Sequence, residues 1–150
     1  MFHELLSNKA LLCAMLSWCA AQVIKFFVYW AIEKKISWRR VWGSGGMPSS
    51  HTAFTVALSA AVGLTEGFGS AAFAVAFALM GVVIYDAMGV RYETGKQGKM
   101  INQINQILNE LFVERKPLTD ERLKELVGHS PIEVLGGVIV AGVVVTLYFI

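Results

Sequence analysis

Four apolar stretches constrain this chain more than any other feature of its sequence. They run from Leu11 to Ile32, from Thr52 to Leu64, from Ala71 to Ile84 and from Ile132 to Ile150. A helix needs about 20 mainly apolar residues to cross the hydrocarbon core of a bilayer, and the first and last stretches reach this length alone. Charged residues make up only 16% of the chain, below the roughly 25% of an ordinary soluble domain. The sequence therefore predicts an all-α integral membrane protein.

The two middle stretches are shorter and are separated by the small turn Thr65–Gly69, so they predict a helical hairpin. We expect about four transmembrane helices within one domain that covers residues 1–150. Their predicted spans are residues 8–32, 49–65, 69–90 and 130–150.

A polar segment, residues 91–128, lies between the third and fourth predicted spans. Ile101, Ile104, Leu108 and Leu111 recur in it at helical spacing, which predicts an amphipathic helix. Such a helix can lie at the membrane interface or pack on the bundle. A second short helix is predicted to begin near Thr119 and to end at Gly128.

Basic residues predict the orientation, because Lys and Arg favour the loops that remain in the cytoplasm. Apart from Lys9 and Lys25, all of them lie in two connections, which carry Lys34, Lys35, Arg39 and Arg40, and Arg91, Lys96, Lys99, Arg115, Lys116, Arg122 and Lys124. With four spans these connections share one side, and the hairpin turn on the other side has no basic residue. We expect a bacterial plasma-membrane protein with cytoplasmic basic loops, both termini outside and no nucleic-acid partner.

The first polar cluster is the glycine-rich loop Gly43–Gly46, followed by Met47-Pro48-Ser49-Ser50-His51 at the start of the second span. Ser49 or Ser50 can cap the helix, and its first-turn amides then form a binding site for an anion such as phosphate. His51 would stand beside that anion as a proton donor. The alternative is an ordinary loop and helix cap with an interfacial histidine.

The second cluster, Tyr85–Arg91, lies where the third span ends. The planar guanidinium of Arg91 matches phosphate oxygens bidentately. Alternatively, Arg91 is only the positive flank of a span and Asp86 is its ion-pair partner.

The third cluster, Gly128–Glu133, leads into the last span. His129 and Glu133 are four residues apart, and a carboxylate bound to one imidazole nitrogen leaves the other nitrogen free to attack phosphorus. Ser130 and Glu133 also fit a capping box, which would explain Glu133 without catalysis but leaves His129 unexplained. The charge-based orientation puts all three clusters at one membrane face.

These three motifs resemble the divergent branch of the type-2 phosphatidic acid phosphatase superfamily, which is related to acid phosphatases and vanadium haloperoxidases. The matching stretches are Gly-Gly-Met-Pro-Ser-Ser-His at 45–51, Tyr-Asp-Ala-Met-Gly-Val-Arg at 85–91 and Gly-His-Ser-Pro-Ile-Glu-Val at 128–134. The resemblance implies His129 as the nucleophile, Glu133 as its orienting carboxylate, His51 as the general acid and Arg91 as the phosphate clamp. It implies no metal and no cofactor.

Several further residues are expected to bind the substrate phosphate: Gly46, Ser49, Ser50, Lys25, Arg39, Arg40 and Asp86. The chain departs from the family pattern at Ser50, where the family has Gly, and at Glu133, where it usually has Asp. The early Lys and Arg-Pro motif of the family has no clear counterpart. Lys25, Arg39 or Arg40 can take its role, and Lys25 can equally be a snorkelling residue near Gln22.

Two functions from different classes follow. The first is a metal-independent lipid phosphate or pyrophosphate phosphatase that works through a phosphohistidine at the cytoplasmic face. The alternative is a catalytically degenerate family member that binds anionic lipid head groups or serves as a membrane assembly subunit.

Gly137 and Ala141 have small-x-x-x-small spacing in the last span. This spacing is consistent with either an internal helix contact or a homodimer.

Overall fold

The computed structural model describes residues 2–34, 46–111, 123 and 128–150. Within this part of the chain all regular structure is helical, and six helices follow one another: α1 (Phe2–Ser7), α2 (Lys9–Glu33), α3 (Ser50–Glu66), α4 (Ala71–Met88), α5 (Val90–Leu111) and α6 (Pro131–Phe149). Helices α2, α3, α4 and α6 occupy the four stretches that the sequence assigns to spans. The short helix predicted from Thr119 lies outside the described residues.

Serine and asparagine side chains cap the starts of α2, α3, α4 and α6, so these starting points follow from local sequence. Ser70 begins α4 by accepting a hydrogen bond from the Phe73 amide at 3.1 Å, and Asn8 begins α2 by accepting one from the Leu11 amide at 3.0 Å. Gly67 ends α3 with a φ of 90°, a conformation that favours glycine. The predicted hairpin between α3 and α4 therefore forms at the expected turn.

Helix α3 lies at the centre of the bundle and packs against α2, α4 and α6. Its inward face consists of small residues, and Ala53, Ala57 and Ala61 are completely buried. Small side chains allow close helix packing where lipid provides no hydrophobic drive for association. A Cβ atom at Gly137 of α6 would overlap Ser49 and Thr52, and Ala141 is also fully buried. The Gly137–Ala141 pair thus serves an internal contact with α3.

Among the described residues, three helical stretches are long and apolar enough to cross a bilayer: Lys9–Ile32, Ala71–Leu111 and Pro131–Phe149. Helix α3 has 17 residues and is about 25 Å long at a rise of about 1.5 Å per residue. This length is slightly below the roughly 30 Å thickness of a hydrocarbon core. The count of about four spans therefore stays a prediction.

Candidate active site

The imidazole of His129 pairs with the carboxylate of Glu133 at the start of α6. His129 Nδ1 lies 2.8 Å from Glu133 Oε2, and the His129 side chain is only 4% exposed. Ser130 caps α6 and accepts a hydrogen bond from the Glu133 amide at 3.4 Å, so the serine half of the predicted capping box is present. His129 precedes the helix and still reaches the carboxylate. A carboxylate partner favours the tautomer with the proton on Nδ1, which leaves the lone pair on Nε2.

Two backbone hydrogen bonds join the three motif segments. The Ser49 amide donates to the Glu133 carbonyl at 2.9 Å, and the His129 amide donates to the Ala87 carbonyl at 2.9 Å. Gly128 packs directly on the backbone of Arg91 and Tyr92, where a Cβ atom would overlap the Tyr92 nitrogen. The segment before α6 is thus fixed to the end of α4 and the start of α5, and the first turn of α6 is fixed to the start of α3.

His51 lies in the first turn of α3, next to the cap of that helix. Ser49 Oγ accepts a hydrogen bond from the Thr52 amide at 3.3 Å and another from the Thr52 hydroxyl at 3.0 Å. The amides of Ser50 and His51 have no partner within the helix itself, as in the first turn of any α-helix. The His51 ring is exposed, and its centroid is 6.1 Å from that of His129. An anion between the two rings would meet the positive end of α3.

Arg91 and Asp86 form an ion pair across the short break between α4 and α5. Arg91 Nε donates to Asp86 Oδ2 at 2.6 Å, and both side chains are partly exposed. The predicted ion pair is therefore present. Because Nε makes this bond, the terminal nitrogens of the guanidinium remain available to an oxyanion. Asp86 thus pairs with Arg91, and its expected role in binding the substrate phosphate stays a prediction.

A cavity of about 210 Å³ brings these side chains together. Its polar lining consists of His51, Asp86, Arg91 and His129, and the rest is Val82, Val83, Ala87 and Gly128. The structure thus places one residue or more from each motif around a single space, and the valines form an apolar wall from α4. The catalytic roles of these residues stay predictions.

Lys25 is buried inside the bundle and is not among the residues that line this cavity. Its side chain is 1% exposed, and it interacts electrostatically with Glu133 and His51. This position differs from that of a lysine snorkelling towards lipid head groups. Gly46 has a φ of 90°, and a Cβ atom there would overlap the Tyr29 hydroxyl and come 3.1 Å from Lys25 Cε.

Sequence reasoning missed Tyr29. Its hydroxyl packs against Gly46, one turn of α2 beyond Lys25. Tyr29 follows Lys25 by four residues, a spacing that puts both side chains on one face of a helix, and this was the sequence signal that could have found it. Tyr29 and Lys25 thus lie together beside Gly46, on one face of α2.

Comparison with known protein families shows the family to which this chain belongs. The family model described as "Divergent PAP2 family" matches residues 6–145. The chain belongs to the divergent PAP2 family. It is also 40% identical over 151 residues to the protein named "Uncharacterized membrane protein YuiD" of Bacillus subtilis (strain 168), a match that covers 96% of this chain and 95% of that protein. No solved structure matches the chain.

Family membership, the apolar helices and this relative show that the divergent PAP2 chain is an all-helical integral membrane protein. Two expected phosphate ligands, Arg39 and Arg40, lie outside the described residues, as does the loop at 43–45. Within residues 2–34, 46–111 and 128–150, no three His, Cys, Asp or Glu side chains are grouped closely enough to hold a metal ion.

Proposed function

We propose that this divergent PAP2 protein is a metal-independent phosphatase of lipid phosphates or pyrophosphates that works at the cytoplasmic membrane face. One observation carries the proposal: His129, which pairs with Glu133, lines the same cavity as His51 and Arg91. A nucleophile with its orienting base, a second imidazole as proton donor and a guanidinium as phosphate ligand together suit phosphoryl transfer through a covalent intermediate.

In the first step, His129 Nε2 attacks phosphorus. The bond from phosphorus to the ester oxygen breaks, and His51 gives its proton to the departing lipid alcohol. Glu133 accepts the hydrogen bond from His129 Nδ1 and stabilises the positive charge of the phosphorylated ring. In the second step, His51 takes a proton from water, the hydroxide attacks phosphorus, the nitrogen–phosphorus bond breaks and inorganic phosphate leaves.

Positive groups would hold the phosphoryl oxygens throughout both steps. Arg91 supplies its terminal nitrogens, α3 supplies its first-turn amides near Ser50, and Lys25 contributes its charge from the buried side. Asp86 positions Arg91. Preorganised groups of this kind stabilise charge that develops in the transition state.

The apolar wall of the cavity supports the proposal that the substrate is a lipid. Val82 and Val83 of α4 line the cavity, and Val82 is also 66% exposed on the outer surface of the bundle. An acyl or prenyl chain attached to a phosphate in the cavity would pass this wall into the surrounding bilayer. Orientation of this end towards the cytoplasm is supported by the basic residues that flank it, including Arg91, Lys96 and Lys99.

Phosphate release by purified protein in detergent tests the proposal. With EDTA present, we expect the wild type to hydrolyse phosphatidic acid or a polyprenyl pyrophosphate, His129→Ala to lose the activity, and His3→Ala in α1 to keep it. An activity that needs added metal, or one that survives His129→Ala, would contradict the proposal. Lipid binding without turnover by the wild type would instead support the degenerate head-group binder.

A further inference from the structure

Helix α5 carries an apolar surface that the bundle does not cover. Met100, Ile104, Ile107 and Leu111 follow one another at spacings of four, three and four residues, which puts them on one face of the helix. Each of these side chains is between 50% and 70% exposed. We call these four residues, with Ile101 beside them, the α5 apolar face.

The opposite side of α5 makes the contacts that the structure describes. Gly95 and Gly98 are buried there, and the Asn102 side-chain amide exchanges two hydrogen bonds with the backbone of Leu123, at 2.9 and 3.1 Å. Among the six helices that the structure describes, α5 contacts only α4, its neighbour in the chain. The packed side and the apolar face are thus different sides of the same helix.

The α5 apolar face continues the lipid-facing side of the bundle. Only Gly89 separates α4 from α5. On the last turns of α4, Val82 and Tyr85 are 66% and 75% exposed, as expected for side chains that contact lipid. Contacts of Gly128 with Arg91 and Tyr92 fix the first turn of α5 at the end of the bundle where α4 leaves the bilayer. Helix α5 therefore begins at the membrane surface.

The breadth of the α5 apolar face favours lipid, rather than a second copy of the chain, as the partner that covers it. From Ile107 to Ile101 it covers an arc of about 120° around the helix, at about 100° per residue. A two-stranded coiled coil uses a narrower seam, with charged residues at the positions beside it. Here Ile101 widens the face on one side. Lys96 and Lys99 lie beyond its other edge, where they can reach anionic head groups.

We propose that α5 lies on the membrane surface at the active-site end of the bundle, with Ile104 and Ile107 inserted into the acyl region of that leaflet. The partner is the phospholipid leaflet itself. This proposal does not depend on phosphatase activity, and either one can fail while the other holds.

Spin labels at matched positions of α5 test the proposal in liposomes that contain anionic phospholipid. Single cysteines are placed by Ile104→Cys or Ile107→Cys on the apolar face and by Gln103→Cys or Gln106→Cys as controls, in a Cys13→Ala, Cys19→Ala background. We expect labels at 104 and 107 to collide mainly with oxygen, which partitions into lipid, and labels at 103 and 106 to collide mainly with a water-soluble nickel complex. Equal access of the nickel complex at all four positions would overturn the proposal.

Spin–spin coupling between labels at position 104 in neighbouring molecules, persisting at low protein-to-lipid ratio, would also overturn it in favour of a second copy. The wild-type chain provides a measurement that needs no substitution. Met100 lies on the apolar face, so in liposomes it should resist a water-soluble oxidant that readily converts it to the sulfoxide after unfolding. Oxidation of Met100 in intact liposomes at the rate found in the unfolded chain would contradict insertion.

Discussion

The proposed chemistry of the site depends on one carboxylate, that of Glu133. Glu133 holds the buried His129 ring through Nδ1 at 2.8 Å and also offers its backbone carbonyl to the Ser49 amide at 2.9 Å. One residue therefore contacts the proposed nucleophile and joins α6 to the start of α3, where we propose that the substrate phosphate binds. A substitution that removes the carboxylate charge of Glu133 tests the first role alone, because the hydrogen bond from the Ser49 amide to the Glu133 backbone carbonyl remains.

Glu133→Gln keeps the size of the side chain and removes its charge. Without the carboxylate, the Nδ1–H tautomer is no longer favoured and the positive ring of the phosphorylated intermediate loses its partner, so kcat should fall by about 10² to 10⁴. Steady-state kinetics with a lipid phosphate measure this fall. Glu93→Gln, which removes an exposed carboxylate paired with Lys96, is the matched control and should stay close to wild type. Equal kcat values for the two variants would contradict an orienting role for Glu133.

Arg91→Ala tests the phosphate clamp. Loss of the guanidinium should lower kcat/KM by about 10² to 10³ and raise the inhibition constant of inorganic phosphate, because charged donors to the oxyanion are removed. Arg91→Lys should recover only part of the loss, since an ammonium cannot bind two oxygens in a planar fork. Lys99→Ala on α5 controls for the loss of one surface charge. Phosphate inhibition that is unchanged in Arg91→Ala would exclude a direct contact.

At the scale of the helices, close packing of α6 on α3 sets the position of the site. Gly137 faces the carbonyl of Ser49 and the side chain of Thr52, both of which belong to the capped start of α3. Backbone atoms cannot move aside as a flexible side chain can. The absence of a side chain at position 137 is thus a condition for His51 and His129 to stand on either side of one cavity.

Gly137→Ala and Gly142→Ala form a matched pair on α6. The Cβ atom at 137 overlaps α3, so this variant should lose about 1 to 3 kcal/mol of stability, with a lower melting temperature in detergent. At 142 a Cβ atom meets nothing within 4 Å, and replacement of a helical glycine by alanine adds up to about 1 kcal/mol. Thermal unfolding followed by circular dichroism compares them. The same melting temperature for both would refute the packing argument.

Most of the helices could be predicted from local sequence signals, whereas contacts between residues that are distant in sequence could not. Ser49, Ser70 and Ser130 cap their helices through a bond three residues ahead, a short-range pattern that sequence displays directly. The His129–Glu133 pair could be predicted for the same reason. Contact of Tyr29 with Gly46 could not, because it depends on how α2 packs beside α3, and only Lys25 was proposed from that helix.

The ends of the whole molecule differ in charge and in chemistry. The proposed site, the start of α5 and the basic residues around Arg91 lie at one end, and the hairpin turn Gly67–Ser70 lies at the other. Because basic loops favour the cytoplasm, we expect the site to face inward. This orientation stays a prediction for the chain as a whole.

Single cysteines at the two ends test the orientation. Lys99→Cys marks α5, and Gly69→Cys marks the hairpin turn, where a Cβ atom meets nothing within 4 Å. Both are made in the Cys13→Ala, Cys19→Ala background. A membrane-impermeant maleimide should label position 69 in intact cells and position 99 only after permeabilisation. The reverse pattern would place the site outside.

Trapping of the covalent intermediate tests the central claim most directly. Purified protein is mixed with a lipid substrate labelled with radioactive phosphate, quenched in alkali and digested for peptide mapping. We predict an acid-labile, alkali-stable phosphoryl group on His129 in the wild type and none in His129→Ala. Turnover of the substrate with no label on His129, or label on another residue, would contradict the account.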